Sequence, residues 1–344
     1  MTQENFKYPD IWSFLRAQQE WRHVQQEEVI SLLTVPVSEE LLNRILSFQT
    51  PEREAVLRRH PGYKLKKMID SLWSMVDVFL INRKDVLFQM SEFDYFSRSA
   101  EMYLPSGEKR LEEIENRVSK EIVAFVATAM SLVDLSRRLL ANIKIPSFSK
   151  KREEVFDNCQ HKFLTSLRNF LMHQTFPSVN WQITRDIKNK EGSSDFLIKL
   201  DFFEISELND EAKNFYERSG ENGVSLKELV ISYSERVQIL YSWLRAEMQL
   251  YLPIEVADYE KIFHKCKSIS FRNSYRFQLK HFIERNIDPY EHLHKYLEKS
   301  KIEKALRLPM NSKIQVDFLI KNVDKYDSFD EELRLLAYKL FKVE

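Results

Sequence analysis

The chain has 344 residues, of which 43% are hydrophobic and 30% charged, and its 52 Lys and Arg are balanced by 52 Asp and Glu. This balance is typical of a folded globular protein and argues against a broadly polybasic nucleic-acid coat, while a local basic patch stays open. Only 5 glycines occur, which argues against glycine-rich phosphate loops and turn-rich β-sandwiches. We therefore expect a mainly helical protein with two domains or one extended domain.

The cysteine content and the apolar segments of the sequence indicate the cellular compartment. Two cysteines, Cys159 and Cys266, cannot make a disulfide framework. The N-terminus is charged throughout and lacks an apolar stretch of signal-peptide length. The most apolar segment, residues 122–133, lies between Glu121 and Asp134 and is too short for a membrane span of about 20 residues. We expect a cytoplasmic protein without a membrane segment.

Residues 1–105 are predicted to form a helical N-terminal region. Residues of the cap type, Ser38 and Thr50, stand beside proline and acidic residues, as helix starts prefer. Apolar residues then recur at a spacing of three to four between Leu65 and Val76, which gives a helix one apolar face.

The central region, residues 106–252, begins after the break at Pro105. Its apolar residues follow a helical period at first, then alternate as in a strand, and later return to a helical period. Val179, Trp181 and Ile183 alternate with polar residues, as in a strand with one buried face. The predicted elements, in chain order, are a long helix over 109–143, a helix over 152–175, a β-hairpin near 179–203 and a helix over 225–250.

The C-terminal region, residues 253–344, is predicted to be mixed, with short helices and one strand over Ile314–Ile320. We expect no metal or cofactor anywhere in the chain. Cys159 with His161, and His264 with Cys266, are spaced i, i+2, which places the two partners about 200° apart on a helix and disfavours a zinc site.

One helical segment, residues 163–173, combines a core face with chemically useful polar groups. At about 100° per residue, Asn169 points away from the apolar stripe, with His173 beside it at i+4. Arg168 lies on the other flank of this outer face and Met172 lies between them. The apolar stripe comprises Phe163, Leu164, Leu167, Phe170 and Leu171.

These outer groups suit the cleavage of RNA without a metal. A histidine such as His173 has a pKa near neutrality and can take the proton of a 2′-hydroxyl that attacks the neighbouring phosphate. Arg168 can stabilise the charge that develops on the phosphoryl oxygens. Asn169 can orient the imidazole or donate to the phosphate. Since one helix carries one set, a symmetric pair of helices around Met172 would bring two sets to one cleft.

The motif Arg168-Asn169-Phe-Leu-Met-His173 resembles the signature of the HEPN (higher eukaryotes and prokaryotes nucleotide-binding) family. That signature is Arg, a polar residue, three further residues and His, late on a helix of a small bundle. The resemblance covers residues 108–252 and departs from many family toxins at Gln174-Thr175-Phe176, where a small residue and Tyr are usual. The chain is expected to hold a HEPN-like bundle with a β-hairpin insertion between the helical N-terminal and mixed C-terminal regions.

The resemblance implies a metal-independent endoribonuclease, often a toxin or an antiviral defence effector. Its partners would be RNA, a second copy of the chain joined through the motif helix, and an antitoxin or regulatory protein. Some family members have lost catalysis, so the alternative is a non-catalytic helical module that binds RNA or a protein.

Several choices stay open at the level of sequence. Asp134 is the acid we would choose to orient Arg168 or His173, although it is equally compatible with a solvated carboxylate at a helix end. Lys150, Lys151 and Arg152 are compatible both with phosphate ligands and with an ordinary charged face. Arg–His pairs of similar spacing also occur elsewhere, at Arg16/His23, Arg53/His60, Arg276/His281 and Arg285/His292.

Overall fold

The computed structural model describes residues 57–173, 178–186, 191–220 and 222–343. For 172–173, 178–180, 184–186, 191–193 and 202–203 it describes the backbone alone. The helix starts expected at Ser38 and Thr50 lie outside these residues, as do the Arg16/His23 pair and Arg53.

The chain divides into two compact units. One contains residues 65–252, and the other takes in 57–64 and 253–343 of the described residues. Both are dominated by helices, so the predicted mainly α fold is confirmed, and the first unit carries a small three-stranded antiparallel sheet. Within the described residues, no helix combines the length and apolar character needed to cross a membrane.

The described part of the unit 65–252 has four longer helices, with shorter helices and a small sheet between them. Its elements are α1 (Tyr63–Ser97), a 3₁₀ turn (Ala100–Tyr103), α2 (Pro105–Leu140), α3 (Phe148–Val155), α4 (Asn158–His173), β1 (Ser178–Asp186), β2 (Glu191–Lys199), α5 (Phe202–Ser206), α6 (Asp210–Arg218), β3 (Val224–Ser225) and α7 (Leu226–Met248).

Three buried aromatic rings hold the long helices together. Phe79 of α1, Phe125 of α2 and Tyr233 of α7 meet with ring centroids 5.0 to 6.4 Å apart, in tilted and edge-on arrangements that aromatic pairs favour. Because Phe79 belongs to this cluster, α1 packs into the same unit as the motif helix, although the sequence assigns it to the N-terminal region.

The helix predicted over 152–175 is in fact two helices, α3 and α4, separated at Phe156 and Asp157. The Asp157 side chain accepts a hydrogen bond of 2.9 Å from the backbone N–H of Cys159, and its carbonyl accepts the first helical bond, from His161, at 3.1 Å. An aspartate that satisfies the first free N–H groups begins a new helix here. The prediction of a single helix was therefore wrong.

The β-hairpin expected near 179–203 is confirmed. Strands β1 and β2 pair antiparallel with Trp181 opposite Phe196, and β2 also pairs with β3 through Ile198 and Val224. The sheet packs against the end of α1, where the Phe93 ring lies 4.6 Å from that of Phe196 and 6.0 Å from that of Trp181.

The second unit contains α8 (Ile254–Glu284), a 3₁₀ turn (Pro289–Lys295), α9 (Lys299–Leu306), α10 (Lys313–Val323) and α11 (Glu331–Leu340). Residues 253–343 contain no strand, so both the mixed assignment and the strand over Ile314–Ile320 are wrong. That segment lies in α10, where Val316, Leu319 and Ile320 are buried at i, i+3 and i+4. Ser312 caps the helix by accepting from the backbone of Gln315.

Candidate functional site

Helix α4 buries the apolar stripe that the sequence predicts. Phe163, Leu164, Leu167 and Phe170 are each at most 3% exposed, while Leu171 is half-buried. The stripe follows the 3.6-residue period of the helix, so the positions between its members must turn away from the core.

Two neighbouring elements hold α4 in place. The Phe163 ring packs 5.2 Å from that of Phe215 on α6, and the Thr165 hydroxyl lies 3.6 Å from the Met130 sulfur on α2. These contacts clamp opposite sides of the same helical turn, which fixes the rotation of α4 about its axis.

Two residues of the motif, Arg168 and Asn169, lie off the buried stripe of α4. Asn169 is exposed and Arg168 is half-buried. Among the described residues, Arg168 forms no hydrogen bond or ion pair. His173 is the last residue of α4, and its side chain and that of Met172 lie outside the described part. The structure thus orients Arg168 and Asn169, and leaves the position of the imidazole as a prediction.

Asp134 lies at a different level of the bundle from Arg168. Its carboxylate is 63% exposed and sits 3.5 Å from Arg137 of the same helix, and no ion pair joins it to Arg168 in the described part. Helices α2 and α4 meet at Met130 and Thr165, and Arg137 and His161 line one cleft. Asp134 therefore lies toward the start of α4 and Arg168 toward its end, about 10 Å apart along the axis. A contact between Asp134 and His173 stays a prediction.

A cleft at the opposite end of α4 brings together residues that sequence reasoning did not group. It has a volume of about 780 Å³ and lies between α2, α3, α4 and α7, with Glu211 of α6 at one edge. The imidazole of His161 lines it and shares a 3.0 Å hydrogen bond with the buried Tyr233 hydroxyl. The two rings are also nearly parallel, with centroids 6.2 Å apart.

Burial and charge together perturb His161. Burial is the main cause that lowers its pKa, and the cations of Lys162, Arg137 and Arg152 lower it further. The same three cations line the cleft. Burial likewise raises the pKa of the Tyr233 hydroxyl far above its usual value, so both partners of the hydrogen bond are uncharged at neutral pH.

The three residues of the basic run Lys150–Arg152 have different surroundings. Lys151 pairs with Glu154 at 3.3 Å and Lys150 is exposed, whereas Arg152 lines the cleft. The signal that could have separated Arg152 from its neighbours is the helix start at Asp157, because the resulting turn places α3 across the beginning of α4.

Metal ligands do not cluster in the described part of the chain, where no group of three or more His, Cys, Asp or Glu side chains is placed to hold an ion. Comparison with known proteins finds no family model that matches the chain, no similar curated protein and no similar solved structure.

Proposed function

We propose that the chain is a metal-independent endoribonuclease of the HEPN type, acting in the cytoplasm as a toxin or an antiviral defence effector. The observation that carries this proposal is the rotation of α4. Its apolar stripe is buried, while Asn169 is exposed and Arg168 carries a guanidinium without an ion pair among the described residues. A cation without a carboxylate partner is available for phosphate.

His173, Arg168 and Asn169 would each take part in the reaction. His173 removes the proton from a 2′-hydroxyl, whose oxygen then bonds to the adjacent phosphorus. The bond from phosphorus to the 5′ oxygen breaks, and that oxygen takes up a proton. The products are a 2′,3′-cyclic phosphate and a 5′-hydroxyl end. Arg168 stabilises the charge on the phosphoryl oxygens, and Asn169 orients the imidazole or donates to the phosphate.

The proposed enzyme is a homodimer joined through α4. One helix supplies a single set of the three residues, and a symmetric partner around Met172 would complete a cleft with two sets. An antitoxin or regulatory protein that covers this outer side of α4 would block access to RNA. Both partners follow from the resemblance to the family.

The test is cleavage of single-stranded RNA by the full chain, with EDTA present throughout. We expect His173→Ala to reduce the cleavage rate by at least about 100-fold, since general acid–base groups contribute about 10²–10⁴ in rate. His294→Ala, which changes an exposed histidine of the other unit, is the matched control and should cut like the wild type. The ends of the products should carry cyclic phosphate.

Two results would decide against catalysis by this motif. Undiminished cutting by His173→Ala would refute the role of the histidine. A wild-type protein that binds RNA in EDTA and leaves it intact would favour the alternative, a non-catalytic helical module that binds RNA or a protein.

A further inference from the structure

The cleft between α2, α3, α4 and α7 has the size and lining of a small-molecule site. Pockets of about 300–1,000 Å³ suit small organic ligands and usually combine apolar walls with a few placed polar groups, and this one has a volume of about 780 Å³. Its apolar wall includes Leu132, Phe148, Phe156, Val237 and Leu240.

Positive charge converges on the cleft from three separate helices. Arg137 comes from α2, Arg152 from α3 and Lys162 from α4. Among the described residues, the ion pairs of Arg137 and Arg152 are exposed pairs with near neighbours on their own helices, at 3.5 and 3.4 Å. Such exposed pairs are weak, so both guanidinium groups can turn to another anion at little cost.

Two carboxylates also border the cleft. Glu153 is the exposed partner of Arg152, and Glu211 accepts a hydrogen bond of 3.3 Å from the Asn158 side chain. They offset part of the positive charge at the edge. The ring of His161 nevertheless experiences a net positive surrounding, because the neighbouring cations, together with burial, lower its pKa.

The His161 imidazole is held in a fixed orientation. Its Nδ1 is engaged by the Tyr233 hydroxyl at 3.0 Å, and the Phe156 ring lies edge-on at 6.2 Å. Its Nε2 has no hydrogen-bond partner among the described residues. A histidine so positioned beside three cations has one ring nitrogen left for a ligand.

We infer that this cleft binds a phosphate monoester with an aromatic or apolar body. The phosphate group would meet Arg137, Arg152 and Lys162, with the His161 ring beside it, and the body would lie against the apolar wall. Guanidinium groups match phosphate oxygens in pairs, and a lysine adds a point charge. The inference does not depend on the proposed RNA cleavage, because His161 lies seven residues, or about 10 Å, along α4 from Arg168.

The probe for the test is phenyl phosphate, titrated into the full chain by calorimetry at concentrations up to about 10 mM. We expect it to bind more tightly than inorganic phosphate, and benzyl alcohol not to bind. Lys162→Gln and Arg152→Gln should each weaken binding about tenfold, since charge-assisted hydrogen bonds are the strongest contacts available. Glu153→Gln should strengthen it.

Arg138→Gln is the matched control, because Arg138 is exposed on α2 next to Arg137 and is not part of the cleft. It should bind phenyl phosphate within about twofold of the wild type. A second readout is the His161 proton resonance, whose titration should move to higher pH when phenyl phosphate is bound.

Three outcomes would overturn the inference: no binding of phenyl phosphate, equal binding by the variants Lys162→Gln and Arg152→Gln, or equal affinity for phenyl phosphate and inorganic phosphate. Because the substituted cations are at the surface of the cleft, these variants should fold normally. Circular dichroism of each protein separates a lost ligand from a lost fold.

Discussion

Two helices carry an Arg and a His at the same spacing, and their surroundings differ. On α8, Arg276 lies 2.8 Å from Glu332 and 3.8 Å from Asp330. The residue after it, Phe277, is 73% exposed and stacks on His281 with centroids 6.2 Å apart. The pair on α8 is thus neutralised by carboxylates and covered by an aromatic ring.

On α4 the corresponding guanidinium, that of Arg168, has no ion-pair partner in the described part, and the next residue is the exposed Asn169. The comparison teaches that spacing alone does not define a phosphate site. What matters is which charges the fold brings to the arginine, and a carboxylate that already holds it leaves little for an incoming anion.

The largest expected effect concerns the packing that orients α4. Phe163→Ala should lower the free energy of unfolding by about 3–5 kcal/mol, because a buried ring leaves a cavity. Phe277→Ala removes an exposed ring from α8 and should change stability by less than about 0.5 kcal/mol. Urea denaturation of both variants measures the difference, and equal losses would contradict the contrast between the two helices.

The next effect separates the two arginines. Arg168→Ala should reduce RNA cleavage in EDTA by about 100-fold, since it removes a group that stabilises the developing charge, and should leave the melting temperature nearly unchanged. Arg276→Ala should cut RNA normally and melt slightly earlier, because Glu332 loses its ion pair, whereas Asp330 keeps its pair with Arg272. Loss of cleavage in Arg276→Ala alone would place the site on α8.

The smallest effect is a pH dependence at the other end of α4. The pKa of His161 is lowered in the folded state, so below about pH 6.5 the unfolded chain binds a proton that the folded chain resists. Stability should therefore fall as the pH drops from 7.5 to 5.5. His161→Gln should fall less over that range in urea unfolding, and an unchanged slope would show that the ring titrates freely.

The spacing of apolar residues predicted an element correctly where one apolar face determines how that element packs. The alternation of Val179, Trp181 and Ile183 specified the hairpin. The same criterion failed for Ile314–Ile320, because a short apolar segment can satisfy both a strand period and a helix period. The capping residue Ser312 favours the helix, and this signal is separate from the apolar pattern.

The candidate site, too, could be predicted from the sequence only in part. The outward position of Arg168 and Asn169 follows from the stripe on α4, and the sequence contains that information. The cleft does not, because Arg137, Arg152 and His161 belong to three helices whose meeting depends on tertiary packing. In the sequence, His161 stands beside Cys159 as a candidate zinc ligand, whereas its hydrogen-bond partner Tyr233 lies 72 residues away on α7.

The two-residue elbow at Phe156 and Asp157 has a consequence for how the cleft could be altered. A single continuous helix over 148–173 would place Arg152 on the extension of the α4 axis and would leave no cleft beside α7. The shape of the cleft therefore depends on the direction of the backbone. Substitutions among its lining side chains should change which ligands the cleft accepts, whereas helix-favouring residues at positions 156 and 157 should abolish the cleft.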